Sequence, residues 1–393
     1  MKYKKLGDIC NIKSGGTPSR RKKEYWDSGT IPWVKIGDIK GKYISNTSEF
    51  ITEQGLNESS AKLFKKGTLL YTIFATLGEV AILDIDATTN QAIVGISHTN
   101  EVDTNYLYYF LKSKKEYVND IGRGVAQNNI NLSMLKDIDV YLPSNLEQQK
   151  ISKVLDKAQE LIDKRKEQIE ALDELVKSQF IEMFGNPSIN DKGWMIDKLS
   201  TVVTNIENGK SFICESFSRS GKYPAILKLS AVTYGIYNAN ENKALTDESL
   251  YVSSVEVKSE DLLFTRKNTP ELVGMSAYVY NTEPNLMMPD LIFRFNTNEN
   301  INKIYLWKLI NHDLFREKIK SLSNGSAKSM SNISKQRLME LNIPIPPIEL
   351  QKQFADFVKQ TDKLKFEMEK SLKELEDNFN SLMQKAFKGE LFN

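Results

Sequence analysis

The stretch LPSNLEQQKI (142–151) is echoed 203 residues later by IPPIELQKQF (345–354). In each, an aliphatic residue and a proline close one segment, and a glutamine-bearing turn opens a helix, at Pro143/Gln148 and again at Pro346/Gln351. A proline cannot continue a strand ladder, and a polar first turn followed by periodic apolar residues is a helix start. Whether the echo extends decides the fold.

It extends over most of the chain. Gly124, Ala126, Asn131, Leu132 and Ser133 recur 201 residues on as Gly325, Ala327, Asn332, Ile333 and Ser334. After a two-residue slip, Leu135 matches Leu338 and Leu142-Pro143 matches Ile345-Pro346. Upstream, at an offset of 193, Lys5-Leu6 matches Lys198-Leu199, Gly16 matches Gly209, Lys35 matches Lys228, and TLLYT (68–72) matches DLLFT (261–265). Offsets that change in small steps are the mark of a duplicated unit with loop insertions.

From Gln148 to Met183 the apolar residues step by three and four, and no Gly or Pro intervenes before Gly185-Asn186-Pro187. Such a run is a helix of roughly 55 Å at ~1.5 Å per residue. Asn145 with Gln148 suits an N-cap and capping box. The tail repeats the design and stops at Gly389. Ile151, Leu155, Ile162, Ile169, Leu172 and Val176 on the first helix, and Leu350, Phe354, Phe357, Leu364, Met368, Leu375 and Leu382 on the second, form matching seams. Heptad-like spacing on both predicts an antiparallel coiled coil. The competing arrangement has each helix capping its own globular unit.

The globular stretches are mixed. IPWVKI (31–36), TLLYTI (68–73) and EVAILDI (79–85) read as strands, while 104–121 and 302–322 read as amphipathic helices. The expected class is α+β, with two similar globular domains, 1–145 and 186–347, a central helix over 146–185 and a final helix over 348–393. These boundaries describe a pseudo-two-fold internal repeat.

The net charge of +2 divides into mildly basic globular stretches and mildly acidic helices, which is compatible with nucleic-acid contact. No run approaches ~18 apolar residues, so no membrane partner is expected. The start MKYKKLGDI lacks the apolar core of a signal peptide. Cys10 and Cys214 do not align between the repeats, and only His98 and His312 are present, which argues against a zinc site and for a reducing compartment, the cytoplasm.

Catalytic signatures are missing. No G-x-G-x-x-G follows a strand, and Asn208-Gly209-Lys210-Ser211 resembles the end of a phosphate loop but has Thr204 where the first glycine is needed. Pro289-Asp290 is followed by no Asp/Glu-x-Lys. Catalysis by this chain is therefore not expected. Two similar basic domains separated by stiff helices suggest a ruler, and duplex DNA, which repeats every ~34 Å, is its natural ligand.

SGGTPSRRKKEYW (14–26), IPWVKIGDI (31–39), GTLLYT (67–72), GRGVAQNNINLSMLKDIDVYLP (122–143) and LEQQKI (146–151) together resemble the specificity subunit of type I restriction–modification systems. The resemblance covers essentially the whole chain. It implies that each half is a target recognition domain reading one part of a split, asymmetric DNA sequence. The helices would set the spacing and dock modification subunits, two in number on the family's pattern, which bind S-adenosylmethionine and methylate adenine. Motor–nuclease subunits using ATP and magnesium would join through that complex, and this chain would bind no cofactor itself.

Base readout needs Arg or Lys for guanine and Asn or Gln for adenine. In the first half the candidates are Arg20, Arg21, Asn90, Gln91, Arg123, Gln127, Asn128 and Asn129, with Lys22 and Lys23 as phosphate contacts. In the second they are Lys210, Arg219, Arg266, Lys267, Asn268, Lys328 and Ser329, with Pro289-Asp290 standing where Asn90-Gln91 stands. Gly15, Gly16, Gly124 and Gly325 are expected at positive-φ turns. Trp26 and Trp33 are either core residues or stacking platforms for single strands. The rival to DNA recognition is a double-headed protein adaptor.

Overall fold

The computed structural model describes residues 3–123, 129–323 and 330–392, without the side chains of residues 122 and 123. The chain is α+β, and its contacts divide it into two compact units, Met1–Glu167 with Lys370–Asn393, and Gln168–Glu369. These units cut across the four consecutive segments read from the sequence. The central helix (Asn145–Phe184) and the final helix (Ile348–Lys388) are each shared between them. Among the described residues no helix is long and apolar enough to cross a membrane.

In the first unit a five-stranded sheet runs in the order Cys10–Ser14, Ile93–His98, Leu69–Thr72, Val80–Leu83, Tyr43–Ile44. A smaller sheet orders Glu49–Ile51, Ile31–Val34 and Thr88–Thr89. The second unit repeats the smaller sheet and four of the five strands of the larger. Val203–Asn208, Ile292–Thr297, Leu262–Thr265 and Ser276–Tyr278 form its larger sheet, and Asn242–Ala244, Ala225–Leu227 and Leu286–Met287 its smaller one. Apart from a bulge at Thr204, registers match residue by residue over the shared strands of the larger sheets. Leu69 lies opposite Ile96 as Leu262 lies opposite Phe295, and the parallel pair Trp33–Thr88 recurs as Ile226–Met287. The LLYT/LLFT and Lys35/Lys228 matches therefore hold in three dimensions.

Two sequence matches shift. Gly15, not Gly16, is the counterpart of Gly209, because Ser14 faces Val94 as Asn208 faces Phe293. Asn131 caps the helix Leu132–Lys136 and Ser334 caps Lys335–Met339, so Asn131 corresponds to Ser334 and Asn129 to Asn332. The slip of two residues thus falls before Asn129, not after Ser133. Each predicted amphipathic helix is also two helices: Thr104–Ser113 then Lys115–Arg123, and Lys303–Asn311 then Asp313–Ser321. His312 makes the second break, its extended backbone and ring nitrogen capping Leu314 N–H at 3.3 Å.

The repeated glutamine turns out to be a clamp. Ser144, not Asn145, caps the central helix, its hydroxyl accepting from Glu147 N–H at 3.3 Å. Gln148 is fully buried; its carbonyl accepts from Asp103 N–H at 2.8 Å and its amide donates to the carbonyls of Glu101 (2.9 Å) and Pro143 (3.0 Å). Gln351, also fully buried, accepts from Asn302 N–H at 2.8 Å and donates to Asn300 (3.2 Å) and Pro346 (2.7 Å). Asp103 and Asn302 are the N-caps of Thr104–Ser113 and Lys303–Asn311. Each long helix is thereby fastened, at its first turn, to the start of the helix that covers the adjacent sheet.

Within each unit the two long helices run antiparallel. In the first, Leu155 and Ile162 share a core with Phe379, Ala386 and Phe387, and Lys166 meets Glu376 at 3.1 Å. In the second, Phe180 and Phe184 pack edge-on against Phe354, and Lys365 meets Asp173 at 2.7 Å. Burial follows the globular cores more than a strict heptad. Ile151, Leu155, Ile162, Val176 and Phe354 are buried, while Ile169, Leu172, Leu350, Phe357, Met368, Leu375 and Leu382 are half-buried. Leu364 is 47% exposed and lies off the seam. Phe180 and Phe184 occupy the dry positions there because the helix Lys303–Asn311 also presses on that end, stacking Tyr305 on Phe180.

One core position is imperfect. Tyr71 is fully buried and its hydroxyl finds no partner among the described residues, whereas Phe264 occupies the equivalent place in the second sheet. An orphaned buried hydroxyl costs about 1–3 kcal/mol. Tyr71→Phe should leave the fold intact and raise unfolding stability by roughly 1 kcal/mol, measured by denaturant unfolding.

Candidate functional site

At one end of each larger sheet, four chain segments line up edge to edge. In the first unit Gly15 N–H donates to Ile93 O at 3.0 Å and Gly16 N–H to Thr89 O at 2.9 Å. Ile73 N–H then donates to Ala92 O at 2.9 Å, and Ile130 N–H to Ile73 O at 3.1 Å. The loop after the first strand, the turn 90–93 and the segments beginning at 73 and 129 are thus neighbours in that order. The second unit repeats the row: Gly209 N–H to Ile292 O (3.2 Å), Lys210 N–H to Met288 O (3.1 Å), Arg266 N–H to Leu291 O (3.0 Å) and Ile333 N–H to Arg266 O (2.8 Å).

Gly15 and Gly16 serve this row by close approach, not by positive φ. A Cβ on Gly15 would sit 1.9 Å from Thr89 Oγ1 and 2.4 Å from Asn90 O, and one on Gly16 2.3 Å from Ser60 O. Neither has a left-handed backbone. Gly209 is squeezed in the same way, 2.0 Å from Pro289 O. Gly124 and Gly325 lie outside the described residues.

The basic loop of the first unit is organised from within. Arg20 lies 3.6 Å over the Trp26 ring and 2.6 Å from Glu49 Oε2, while Lys35 reaches the other Glu49 oxygen at 2.9 Å. Lys35 and Arg20 together hold the Glu49 carboxyl below the usual carboxylate range. Arg20 is therefore a pinned residue that shapes its loop. Trp33 is buried and donates to Gly16 O at 3.1 Å, and Trp26 donates to Ser19 O at 3.1 Å, so both indoles are scaffold, not platforms. Lys22 donates to Tyr25 Oη at 2.6 Å, which in turn donates to Glu58 at 2.8 Å. Arg21 and Lys23 are exposed, with no ion pair to a described residue.

Asn90 is committed to its own turn, accepting from Ala92 N–H at 3.0 Å. Gln91 is exposed at the tip, with the Thr17 hydroxyl donating to its carbonyl. Asn129 is half-buried in a bridge with Phe74. The side chain of Arg123, and Gln127, Asn128, Lys328 and Ser329, lie outside the described residues.

In the second unit Lys210, Lys228, Lys243 and Asp290 ring a pocket of 320 Å³ floored by Ile226 and Leu227. Lys228 approaches Glu241 at 3.7 Å, while Lys210, Lys243 and Asp290 are exposed. Lys228 and Lys243 were not among the sequence candidates, although the recurrence of Lys35 as Lys228 pointed to the first. Lys267 sits half-buried beside this row. Arg266 is held by Asn332 Oδ1 at 3.3 Å, above the Phe293 ring. Asn268 is buried, donating to Thr233 Oγ1 at 3.0 Å and accepting from Thr269 N–H at 2.9 Å, so it belongs to the core. Arg219 is not beside Lys210. Its guanidinium donates to the carbonyls of Tyr223 (3.0 Å) and Pro284 (2.7 Å), just before the strand Ala225–Leu227, whereas Lys210 lies by Lys228, just past it.

Among the described residues no group of three or more His, Cys, Asp and Glu side chains is placed to hold a metal ion. Arg21, Lys23, Lys210 and Lys243 offer exposed cations, Gln91 an amide and Asp290 a carboxylate, groups that suit hydrogen bonding and charge neutralisation.

Comparison with known proteins gives the same duplication. A model of the type I restriction modification DNA specificity domain matches residues 1–172 and again 191–377. The MjaIX specificity subunit of Methanocaldococcus jannaschii is 38% identical over 228 residues, covering 53% of this chain and 52% of that protein. The chain thus spans about half the length of that relative. The MjaVIII specificity subunit of the same organism is 24% identical over 408 residues, covering 98% of this chain and 92% of its own. The crystal structure of the type I S subunit from M. genitalium has a TM-score of 0.56 at 17% identity, over 98% of this chain and 96% of that one. A chain from a structural study of type I R-M complex assembly has a TM-score of 0.60 at 16% identity, over 99% and 98%. At those identities the likeness is one of fold, and it spans both halves. With a domain match in each half and a fold shared from end to end, the chain belongs to the type I restriction–modification DNA specificity family.

Proposed function

We propose that each unit reads one part of a bipartite, asymmetric duplex DNA site, and that the chain supplies the address for chemistry done by its partners. The observation that carries this reading is the twice-built row: an identical backbone frame at the end of each sheet, bearing different polar side chains. A repeated frame with divergent readers is what two different half-sites require. Arg21, Lys23 and Gln91 are the exposed polar groups of the first row, and Lys210, Lys243 and Asp290 those of the second. On this reading the long helices set the gap between half-sites and carry two modification subunits. Those subunits hold S-adenosylmethionine and methylate adenine. Motor–nuclease subunits, using ATP and magnesium, join through them, and the assembly works in the cytoplasm.

Salt dependence tests DNA recognition against a peptide-binding adaptor. Each phosphate neutralised contributes a slope of about −0.9 to log K against log[salt]. About five to seven contacts across two rows should give a slope of roughly −4.5 to −6. Fluorescence anisotropy of a labelled duplex between 50 and 200 mM salt, on the order of the range where such slopes are read, measures it. A flat dependence would overturn the proposal.

A further inference from the structure

We infer that Gln91 and Asp290 are the equivalent base readers of the two units, Gln91 selecting an A·T pair and Asp290 a C·G pair. This inference rests on the DNA reading above and assigns chemistry to one position within it.

The two side chains occupy the same place in the same backbone element. Ile93 N–H bonds back to Asn90 O at 3.2 Å, and Ile292 N–H bonds back to Pro289 O at 3.1 Å. Gln91 and Asp290 are therefore each the second residue of a four-residue turn, and both are exposed. Each turn is braced by the neighbouring glycine, Gly15 or Gly209, whose hydrogen takes the place of a Cβ that would strike the turn's own backbone. A reader must be rigidly presented, and both turns have that property.

The chemistry then separates the halves. The Thr17 hydroxyl donates to the Gln91 carbonyl, which fixes the amide plane and leaves its NH2 group without a described partner. A carboxamide so oriented offers a donor and a second acceptor lone pair, matching adenine N7 and N6–H. Asp290 has only acceptors to offer. A carboxylate on a DNA-facing row is repelled by phosphates, so its favourable position is against the one strong major-groove donor that needs an acceptor alone, cytosine N4–H. Lys210, Lys228 and Lys243 around it supply the positive field that keeps the carboxylate from repelling the duplex as a whole.

The test is a comparison of methylation motifs in host cells carrying the complete system with the parent chain, Asp290→Asn or Gln91→Glu. Purified chains are assayed in parallel for binding to the parent duplex and to duplexes changed at one pair. The parent motif should hold a C·G pair in one half that Asp290→Asn no longer demands. Discrimination at that pair should fall roughly ten- to a hundredfold, with the other half unchanged. Gln91→Glu should alter one A·T position in the opposite half. Both substitutions lie at exposed tips, and if either variant fails to fold, the other decides. A bipartite parent motif that neither variant changes overturns the inference and leaves DNA reading standing. Absence of any sequence-specific binding by the parent chain overturns both.

Discussion

Replacing Arg294 with alanine should destabilise the second unit by about 3–5 kcal/mol, the range for stripping one partner from a buried ion cluster. Arg294 is 8% exposed. Its guanidinium donates to Asp261 Oδ2 at 3.0 Å, to Glu207, and to the carbonyls of Glu256 (2.7 Å) and Ser254 (2.9 Å). Alanine leaves Asp261 and Glu207 facing each other without a cation and orphans two carbonyls. Thermal unfolding should shift down by roughly 10 °C at ~2–4 °C per kcal/mol. The triple variant Arg294→Met with Glu207→Gln and Asp261→Asn should recover a large part of the loss, because it removes the uncompensated charge. Arg294 lowers the Glu207 pKa. The stability linked to that carboxylate is accordingly full above the ordinary glutamate range and is lost as pH falls through the lowered value. An alanine variant as stable as the parent at neutral pH would refute this account of the sheet.

Gln148→Ala and Gln351→Ala should each cost about 2–4 kcal/mol, since each strips partners from three backbone groups in a site closed to water. The informative control is the isosteric acid. Gln148→Glu keeps volume, yet turns an oxygen on the carbonyls of Glu101 and Pro143 that the amide had bonded. It should be at least as damaging as alanine. Hydrogen exchange localises the effect. Protection should drop at Asp103 and along Thr104–Ser113 for Gln148 variants, and at Asn302 and along Lys303–Asn311 for Gln351 variants. Equal stability of Gln148→Glu and the parent would mean that the amide is not the fastening.

These glutamines explain how much of the fold was legible. A clamp on three main-chain groups tolerates no other side chain, so the echo LEQQ/ELQK survived while its surroundings drifted. The long helices announced themselves by period and by the absence of Gly and Pro. The strands LLYT and LLFT were readable because buried strands vary only among apolar residues. Where several residues do one job, the sequence misled. An asparagine or a serine caps a helix equally well, so Asn131 was matched to Asn332 when its counterpart is Ser334. Adjacent glycines at 15 and 16 left the register open by one residue. Gly95 and Arg294 share one sheet position, filled in one unit by the Phe64 ring against the glycine and in the other by an ion cluster. Nothing in the sequence announces such an exchange of packing for charge.

The site was legible in outline. Most of its segments were among the candidates, although the one beginning at Ile73 in the first unit was not, and the structure brings them into one row in each unit. Which candidates stay exposed was not legible, because partnership is a property of the folded chain. Arg20 looked free until Glu49, 29 residues away in sequence, was placed against it. Asn268 followed a strand as a reader would, but it points into the core. Arg219 was near Lys210 in sequence and at the opposite end of a strand in space.

The central claim is that the two units read DNA independently of one another. The most direct measurement exchanges residues 1–145 for those of a relative with a different specificity and determines the methylation motif in cells carrying the complete system. One half of the motif should change while the other half and the gap between them are retained. A motif altered in both halves, or in neither, would contradict the claim.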